Sequence, residues 1–168
     1  KLRVAAYSGD NAELDFALAC GAFGSVQTSI SLCDQINLSQ RLPQAAASGI
    51  GVLAKRPVAG AVWRFAQRPE AFAEGHYWDR WQVMQLGEAF AKTRRPAAEP
   101  APAPDWMALA LRFTAFQRGV SSTLSGTSNA RHLRQNLAAL EVGPLSAADL
   151  ALIDAAWLQH CASAPGLI

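Results

Sequence analysis

The chain has 168 residues, of which 51% are hydrophobic and 17% are charged, so it is predicted to form a single globular domain over residues 1–168. A formal net charge of +2 is too small to indicate nucleic acid or an anionic membrane as a partner. The sequence also contains no apolar run close to the roughly 18 residues that a membrane-spanning helix needs.

Four short runs of apolar and β-branched residues alternate with helical patterns along the chain. This alternation is typical of a parallel sheet covered by helices, and it predicts an α/β fold. Leu14, Ala17 and Leu18 are predicted to face the core from the first helix, which Asp10 or Asn11 can cap. In chain order, the predicted elements are a strand at 2–7, a helix at 12–20, a strand at 25–29, a loop at 31–38, a helix at 39–47, a strand at 51–54, helices at 77–92 and 106–116, a strand at 120–124, a helix at 130–140 and a helix that begins at Ser146.

Residues 58–104 lie between the third predicted strand and the helix at 106–116, and they are predicted to form a long loop excursion. The excursion contains the helix at 77–92 and ends in a tract at 96–104 that consists of Pro and Ala apart from one Glu. Such a composition gives a stiff, extended spacer that packs poorly. On composition alone, the tract is a surface loop without a function.

The segment 120–140 has the pattern of a short strand, a turn of small residues and a helix. Ser125 to Asn129 offer a Gly for close backbone approach and several side chains that can cap the helix. Leu133, Leu137 and Leu140 recur at helical spacing and predict one apolar stripe. The N-terminus of a helix after such a turn attracts anions, although most turns of this kind bind nothing.

The chain resembles the aldo-keto reductases in four segments that occur in the order they have in that family. The segments are YSGDN, SVQTSISLCDQ, GIGVLAKRP and GTSNARHLRQN, and the resemblance extends over roughly residues 2–157. Members of the family are (β/α)8 barrels, which take about 250 residues. The resemblance therefore implies half of a TIM barrel, namely strands five to eight with their helices and a C-terminal helix. We accordingly expect the chain to be the C-terminal half of a longer parent, with Lys1 at a boundary.

The resemblance implies a parent that uses NADP or NAD to reduce a small carbonyl compound, or to oxidise an alcohol in the reverse direction. In the family, the catalytic Asp, Tyr, Lys and His lie on the first four strands, so no catalytic residue is predicted in this chain. The tyrosines and histidines present are interpreted as structural or surface residues. They are Tyr7, Tyr77, His76, His132 and His160.

The resemblance also implies that much of the cofactor cradle is present. At the nicotinamide end, two residues contact the carboxamide, and a Lys stands where many relatives stack an aromatic ring on the nicotinamide. A backbone stretch lies beside the pyrophosphate, and the last turn with its helix lies at the adenosine end. Many NADPH-preferring members have Lys and Arg where this chain has Gly126 and His132, so both NADP and NAD stay open. The implied cofactor-binding residues are Ser8, Gln27, Lys55, Pro57, Val58, Gly126, Thr127, Ser128, His132, Gln135 and Asn136.

The three cysteines, Cys20, Cys33 and Cys161, show neither the spacing of metal ligands nor an even-numbered disulfide framework. No metal site is predicted. The cysteines are interpreted as buried thiols in a reducing compartment, which predicts a cytoplasmic protein.

Half of a barrel leaves its first and last strands with unpaired edges, and the inward-facing side chains lose the other half of their core. We therefore expect an exposed apolar face that is covered by a partner. The predicted partner is a second copy of the chain, most simply in a two-fold dimer, or the missing N-terminal half. The alternative function is that of a catalytically inactive half-barrel fragment or interaction module that oligomerises through this open face.

Overall fold

A computed structural model of the chain describes residues 1, 3–93 and 104–167. No helix in these ranges is both long and apolar enough to cross a membrane. The strands are β1 (Ala6–Ser8), β2 (Ser25–Ser29), β3 (Gly51–Lys55) and β4 (Ser122–Thr123), and the helices are α1 (Asn11–Ala19), α2 (Ile36–Ser39), α3 (Arg41–Ala47), α4 (Phe72–Met84), α5 (Leu86–Thr93), α6 (Trp106–Ala115), α7 (Ala130–Glu141) and α8 (Ala147–His160), with a 3-10 segment at Ala59–Arg64.

The strands form one parallel sheet in the order β1-β2-β3-β4, which is also their order along the chain. β1 pairs with β2 from Ala6 opposite Ser25 to Ser8 opposite Gln27. Each crossover between neighbouring strands contains at least one helix. Successive strand-helix units of this kind are the repeating element of a TIM barrel, and they confirm the predicted α/β class with four parallel strands.

One face of the sheet is covered by α1 and α3. Val26 and Val52 on this face are buried against Leu14 of α1 and Leu42 of α3. The predicted inward face of the first helix is confirmed, since Leu14, Ala17 and Leu18 are all buried. These contacts fix the direction in which the alternate residues of each strand point.

A second core lies among the helices α4, α5, α6 and α8. Its buried members include Tyr77, Phe90, Phe113 and Trp157. Much of the predicted excursion at 58–104 is therefore packed structure that contains the 3-10 segment, α4 and α5. The single helix predicted at 77–92 is two helices, because Gln85 adopts a left-handed conformation (φ 48°) between them. Of the Pro/Ala tract at 96–104, residues 96–103 lie outside the described residues.

Three other predicted elements have clearly different bounds in the structure. The fourth strand, predicted at 120–124, is only Ser122–Thr123. The first strand, predicted at 2–7, is Ala6–Ser8, because its partner β2 begins only at Ser25. The helix predicted at 39–47 is split into α2 and α3 at Gln40, whose φ of −122° and ψ of −57° interrupt the helical ladder. α2 also occupies the end of the loop that was predicted at 31–38.

The apolar stripe predicted on α7 exists, but the described part of the chain does not bury it. Leu133 and Leu137 are 45% and 53% exposed, and α7 contains no buried residue. α7 packs beside α6. The helical spacing of the leucines predicted the helix correctly, but it does not determine whether their side chains are buried, because burial depends on the rest of the fold.

The face of the sheet opposite α1 and α3 differs from the apolar face that we expected. Alternation along the strands places Ser8, Gln27, Leu53, Lys55 and Ser122 on this face, because Val26, Val52 and Ala54 point the other way. Most of these side chains are small or polar. We call this surface the open face.

Two neighbouring positions of α1 test the assignment of its buried side. Leu14 is 1% exposed and Phe16 is 71% exposed, so Leu14→Ala should lower the free energy of unfolding by about 2–5 kcal/mol, because it leaves a cavity in the core. Phe16→Ala should change the same quantity by less than about 0.5 kcal/mol. Urea unfolding of the two variants measures both effects, and equal losses would contradict the described orientation of α1.

Candidate functional site

The carboxyl ends of β1, β2 and β3 meet at a buried carboxylate. Asp10 follows β1, and its Oδ1 accepts hydrogen bonds from Thr28 Oγ1 at 2.5 Å and from the backbone N–H of Ser29 at 2.8 Å. Its Oδ2 accepts from Ser29 Oγ at 3.3 Å and lies 2.9 Å from Nζ of Lys55, the last residue of β3. One carboxylate thus connects three neighbouring strands.

The surroundings of Asp10 favour its charged form. Burial raises the pKa of Asp10, but the hydrogen bonds from Thr28 and Ser29 and the ammonium of Lys55 outweigh it and leave the pKa below the ordinary value. The Asp10 side chain is 1% exposed and that of Lys55 18%. The two residues therefore form a nearly buried ion pair.

Asp10 was predicted only as a possible cap of the first helix, and in the structure it does something else. It occupies the N-cap position of α1, but its carboxylate accepts no hydrogen bond from that helix, because the carboxylate oxygens are used by β2 and Lys55. Asn11, the other predicted cap, exchanges two hydrogen bonds with Gly166 at 3.0 and 3.1 Å. The local pattern suggested a cap, but the contacts that decide the roles come from distant segments.

Two residues predicted to contact the nicotinamide carboxamide lie side by side on the open face. Ser8 is opposite Gln27 in the ladder between β1 and β2. Their side chains therefore point to the same side, with Ser8 exposed and Gln27 half-buried. The third residue predicted at this end, Lys55, is directed to Asp10 instead of being free to cover a ring.

The predicted residues of the adenosine and pyrophosphate end converge on one pocket with a volume of about 1070 Å³. The pocket lies between the segment after β3, the N-terminus of α6, and the turn and helix after β4. Ser128 belongs to that turn but does not line the pocket, and neither do Ser8, Gln27 and Lys55. The lining includes seven predicted residues, namely Pro57, Val58, Gly126, Thr127, His132, Gln135 and Asn136.

The turn before α7 is held in place by its own side chains. Asn129 caps α7 by accepting from the N–H of Arg131 at 2.9 Å, and its own N–H donates to Thr127 Oγ1 at 3.1 Å. Asn136 Nδ2 donates to Ser125 Oγ at 2.9 Å. The capping role predicted for the turn is thereby confirmed, and the positive end of the α7 dipole lies beside the pocket.

Two arginines that the sequence did not single out also line the pocket. Arg56 precedes the 3-10 segment and Arg64 is its last residue, and both are exposed. The carboxylate of Asp105, another lining residue, is engaged by the N–H of Ala108 at 3.1 Å, which caps α6. The pocket therefore combines two guanidinium groups with a helix N-terminus, a combination that suits phosphates.

Position in the sequence explains why these arginines were missed. Arg56 and Arg64 lie more than 60 residues from the turn at 126–128, so no local motif joins them. The signal that was available is Arg56 itself, since it directly precedes Pro57 and Val58, which were predicted beside the pyrophosphate.

The other titratable side chains near the strand ends belong to packing. Burial raises the pKa of Tyr77 to about 12, so its phenol stays protonated at neutral pH. Asp34 lies 3.3 Å from Arg80 and accepts from the N–H of Leu167 at 2.8 Å, and burial raises the pKa of Asp34 to about 6. Arg80 also donates to the carbonyls of Cys33 and Pro165. These contacts join α4 and the segment after α8 to the loop after β2.

No group of three or more His, Cys, Asp or Glu side chains is arranged to hold a metal ion within the ranges that the structure describes. The candidate site is accordingly defined by the pocket and by the strand ends beside it.

The model of the aldo/keto reductase family matches residues 21–158. The chain belongs to this family. No curated protein matches it. Among solved structures, the apo and holo forms of aldo-keto reductase AKR11C1 from Bacillus halodurans are similar to it, each with 20% identity over 94% of this chain, with TM-scores of 0.63 and 0.64. Glycerol dehydrogenase AKR11B4 from Gluconobacter oxydans is similar with 13% identity, 94% coverage of this chain and a TM-score of 0.63.

This aldo/keto reductase chain spans about half the length of the solved structures that it matches, since it covers 49–50% of them. At these identities the likeness concerns the fold. It shows that the four parallel strands and their helices form a partial TIM barrel of the aldo-keto reductase type.

The Asp10–Lys55 pair provides a test of the site's construction. Asp10→Asn should lower the free energy of unfolding by about 3 kcal/mol, because it leaves a nearly buried ammonium without a counter-charge. The matched control is Asp15→Asn, which breaks the more exposed pair with Arg41 (2.6 Å) and should cost less than about 1 kcal/mol. Urea unfolding at pH 7 measures both variants.

The same variants show a defined pH dependence. Because the folded-state pKa of Asp10 is lowered, its contribution is fully present above the unfolded pKa of about 3.9 and is lost as the pH falls through the folded pKa. The stability difference between wild type and Asp10→Asn should therefore shrink below pH 4. A difference that stays constant from pH 7 to pH 2.5 would refute this electrostatic role.

Proposed function

We propose that this chain is part of an NAD(P)-dependent oxidoreductase that reduces a small carbonyl compound or oxidises the corresponding alcohol. In this proposal it is the C-terminal half of the barrel, strands five to eight, and the catalytic Asp, Tyr, Lys and His belong to the other half. The main support for the proposal is the pocket. It is lined by residues from two distant segments, and the resemblance assigns both segments to the adenosine and pyrophosphate end of the cofactor.

The residues present fit that end of the cofactor. Arg56, Arg64 and the N–H groups at the start of α7 would bind phosphate oxygens, with the backbone at Pro57 and Val58 alongside. Gln135 and Asn136 project from α7 toward the same pocket and offer amide donors and acceptors to an adenine edge. When bound, the nicotinamide supplies or accepts the hydride, while the protein positions it.

The choice between NADP and NAD depends on charge at the last turn. Gly126 and His132 line the pocket without adding a permanent positive charge. Arg56 and Arg64, from the segment after β3, provide that charge at the same pocket, and guanidinium groups bind phosphate in a bidentate manner. We propose that the two arginines give this chain its affinity for the phosphorylated end of the cofactor.

Neutralising the arginines tests the proposal. Arg56→Met and Arg64→Met should each weaken NADPH binding by at least about tenfold, because each removes a charged hydrogen-bond donor, which is worth about 1.5–3 kcal/mol. Arg118→Met is the matched control, since Arg118 is exposed and does not line the pocket. Isothermal titration measures the affinities. An equal loss in all three variants would point to net charge alone and contradict the proposed site.

A second candidate function is that of a half-barrel interaction module. β1 and β4 end the sheet, so each is paired on one side only within the described residues. The apolar stripe of α7 is also exposed at Leu133 and Leu137. We propose that the chain associates with a second copy of itself or with the missing half of the barrel. We also propose that it resides in a reducing compartment such as the cytoplasm, which keeps the free thiols of Cys33 and Cys161 reduced.

Sedimentation velocity tests the self-association. The wild-type chain should sediment as a dimer at micromolar concentration, and Leu133→Lys combined with Leu137→Lys should shift it to a monomer, because charges replace the exposed apolar stripe. Phe16→Lys serves as the control on a different helix. A stable wild-type monomer that does not aggregate would exclude the dimer and leave pairing with the other half of the barrel as the remaining proposal.

A further inference from the structure

We infer that the segment after α8 is a releasable strap that holds the polar network at the ends of β1 and β2 in place and thereby limits access to the Lys55 ammonium. The strap comprises residues 162–167, and the network is the one centred on Asp10. The inference concerns a conformational device of the chain itself and does not depend on the ligand that the chain binds.

The first attachment of the strap is at Asn11, the residue directly after Asp10. Asn11 Nδ2 donates to the carbonyl of Gly166 at 3.1 Å, and Asn11 Oδ1 accepts from the N–H of Gly166 at 3.0 Å. Asn11 has a φ of 55°, a left-handed conformation that costs free energy in a residue other than glycine. The two bonds to the strap offset that cost, so the strap helps to fix the backbone beside Asp10.

The second attachment is at Asp34, in the loop after β2. Asp34 Oδ2 accepts from the N–H of Leu167 at 2.8 Å. Arg80 of α4, which lies 3.3 Å from Asp34, donates to the carbonyl of Pro165. Because β2 ends in the residues that donate to Asp10, the strap is bonded on both sides of the network, after β1 and after β2.

The strap passes so close to Asn11 that a side chain at position 166 does not fit. A Cβ on Gly166 would lie 2.7 Å from Asn11 Oδ1 and 3.2 Å from Cγ2 of Ile36. The first distance is too short for a real contact, so one of the two segments would have to move. Moving the Asn11 amide breaks its bonds to the strap, and moving the strap breaks the same bonds. Either response therefore releases this attachment.

The contacts of the strap are mostly polar, so it should open more often than the rest of the chain. Leu167 packs against the second core, but it is only half-buried. Segments with few buried apolar contacts open locally without unfolding of the whole protein. Lys55, on the other side of the network, is paired with Asp10, and its side chain is 18% exposed. Opening of the strap frees Asn11 and the backbone at Asp10, and it thereby exposes the Lys55 ammonium.

Gly166→Ala tests the strap, with Gly87→Ala in α5 as the matched control, because a Cβ on Gly87 meets nothing within 4 Å. Hydrogen exchange measures docking at the N–H groups of positions 166 and 167, and acetylation followed by mass spectrometry measures the reactivity of Lys55. In Gly166→Ala, the two N–H groups should exchange at least about tenfold faster and Lys55 should be acetylated at least about threefold faster than in the wild type. Gly87→Ala should change neither rate.

A third measurement separates release of the strap from general destabilisation. The N–H of Val52 lies in β3 and donates to Ser121 Oγ at 3.1 Å, so its exchange reports opening of the sheet. Its rate should be the same in Gly166→Ala and in the wild type. The inference is overturned if Val52 is accelerated as much as position 166, if Lys55 keeps its wild-type rate after the strap is released, or if exchange at positions 166 and 167 does not change.

Asn11→Gly reaches the same attachment from the other side and carries the test if Gly166→Ala does not fold. It removes both bonds to Gly166 and also the backbone strain at φ 55°. If the strap holds the network, Lys55 should again be acetylated faster, although the strain has been relieved. A rate at or below that of the wild type would show that the strap does not hold the network. Because no ligand is used, these outcomes are independent of the proposed function.

Discussion

The buried carboxylate of Asp10 is the constraint on which the sheet end and the site depend. β1 has three residues and β4 has two, so the ladders at the sheet edges contain few hydrogen bonds. Asp10 adds bonds from Thr28, Ser29 and Lys55 that join three strand ends at one point. Asn37 extends the network, since its Nδ2 donates to Thr28 Oγ1 at 2.9 Å and to the carbonyl of Ser29 at 3.1 Å. Such a network specifies one arrangement of the strand ends because every alternative leaves a buried charge unpaired.

Fixing Lys55 also fixes the backbone that follows it. Arg56, Ala59 and Ala61 have φ values of 57°, 45° and 53°, a left-handed conformation that non-glycine residues rarely adopt. Ala59 and Ala61 are buried, so packing holds them there in spite of the strain. The strained stretch directs Arg56 and Arg64 to the pocket, which relates the strain to the proposed binding site.

Local features were predictable from the sequence, and distant contacts were not. The start of α8 is one example of success, since a helix is predicted to begin at Ser146 and Ser146 caps α8 by accepting from the N–H of Asp149 at 3.1 Å. Asp10 shows where prediction from the sequence fails, because the sequence around a carboxylate before a helix is the same whether the carboxylate caps that helix or joins two other strands. Arg64 shows it as well, since only the fold brings it near the turn at 126–128. The resemblance to a family supplied the long-range information that periodicity lacks.

The composition of the open face bears on the association that we propose. Ser8, Gln27 and Ser122 contribute little apolar area, and Lys55 is satisfied by Asp10. Burial of this face alone would therefore release little hydrophobic free energy. In the proposed association, a partner would instead bring large side chains into the space above the small ones, pair with the edges of β1 and β4, and cover the stripe of α7. Such an association would depend on strand pairing and on the stripe of α7 more than on burial of apolar side chains of the open face. It would therefore be selective for a partner with matching strand edges.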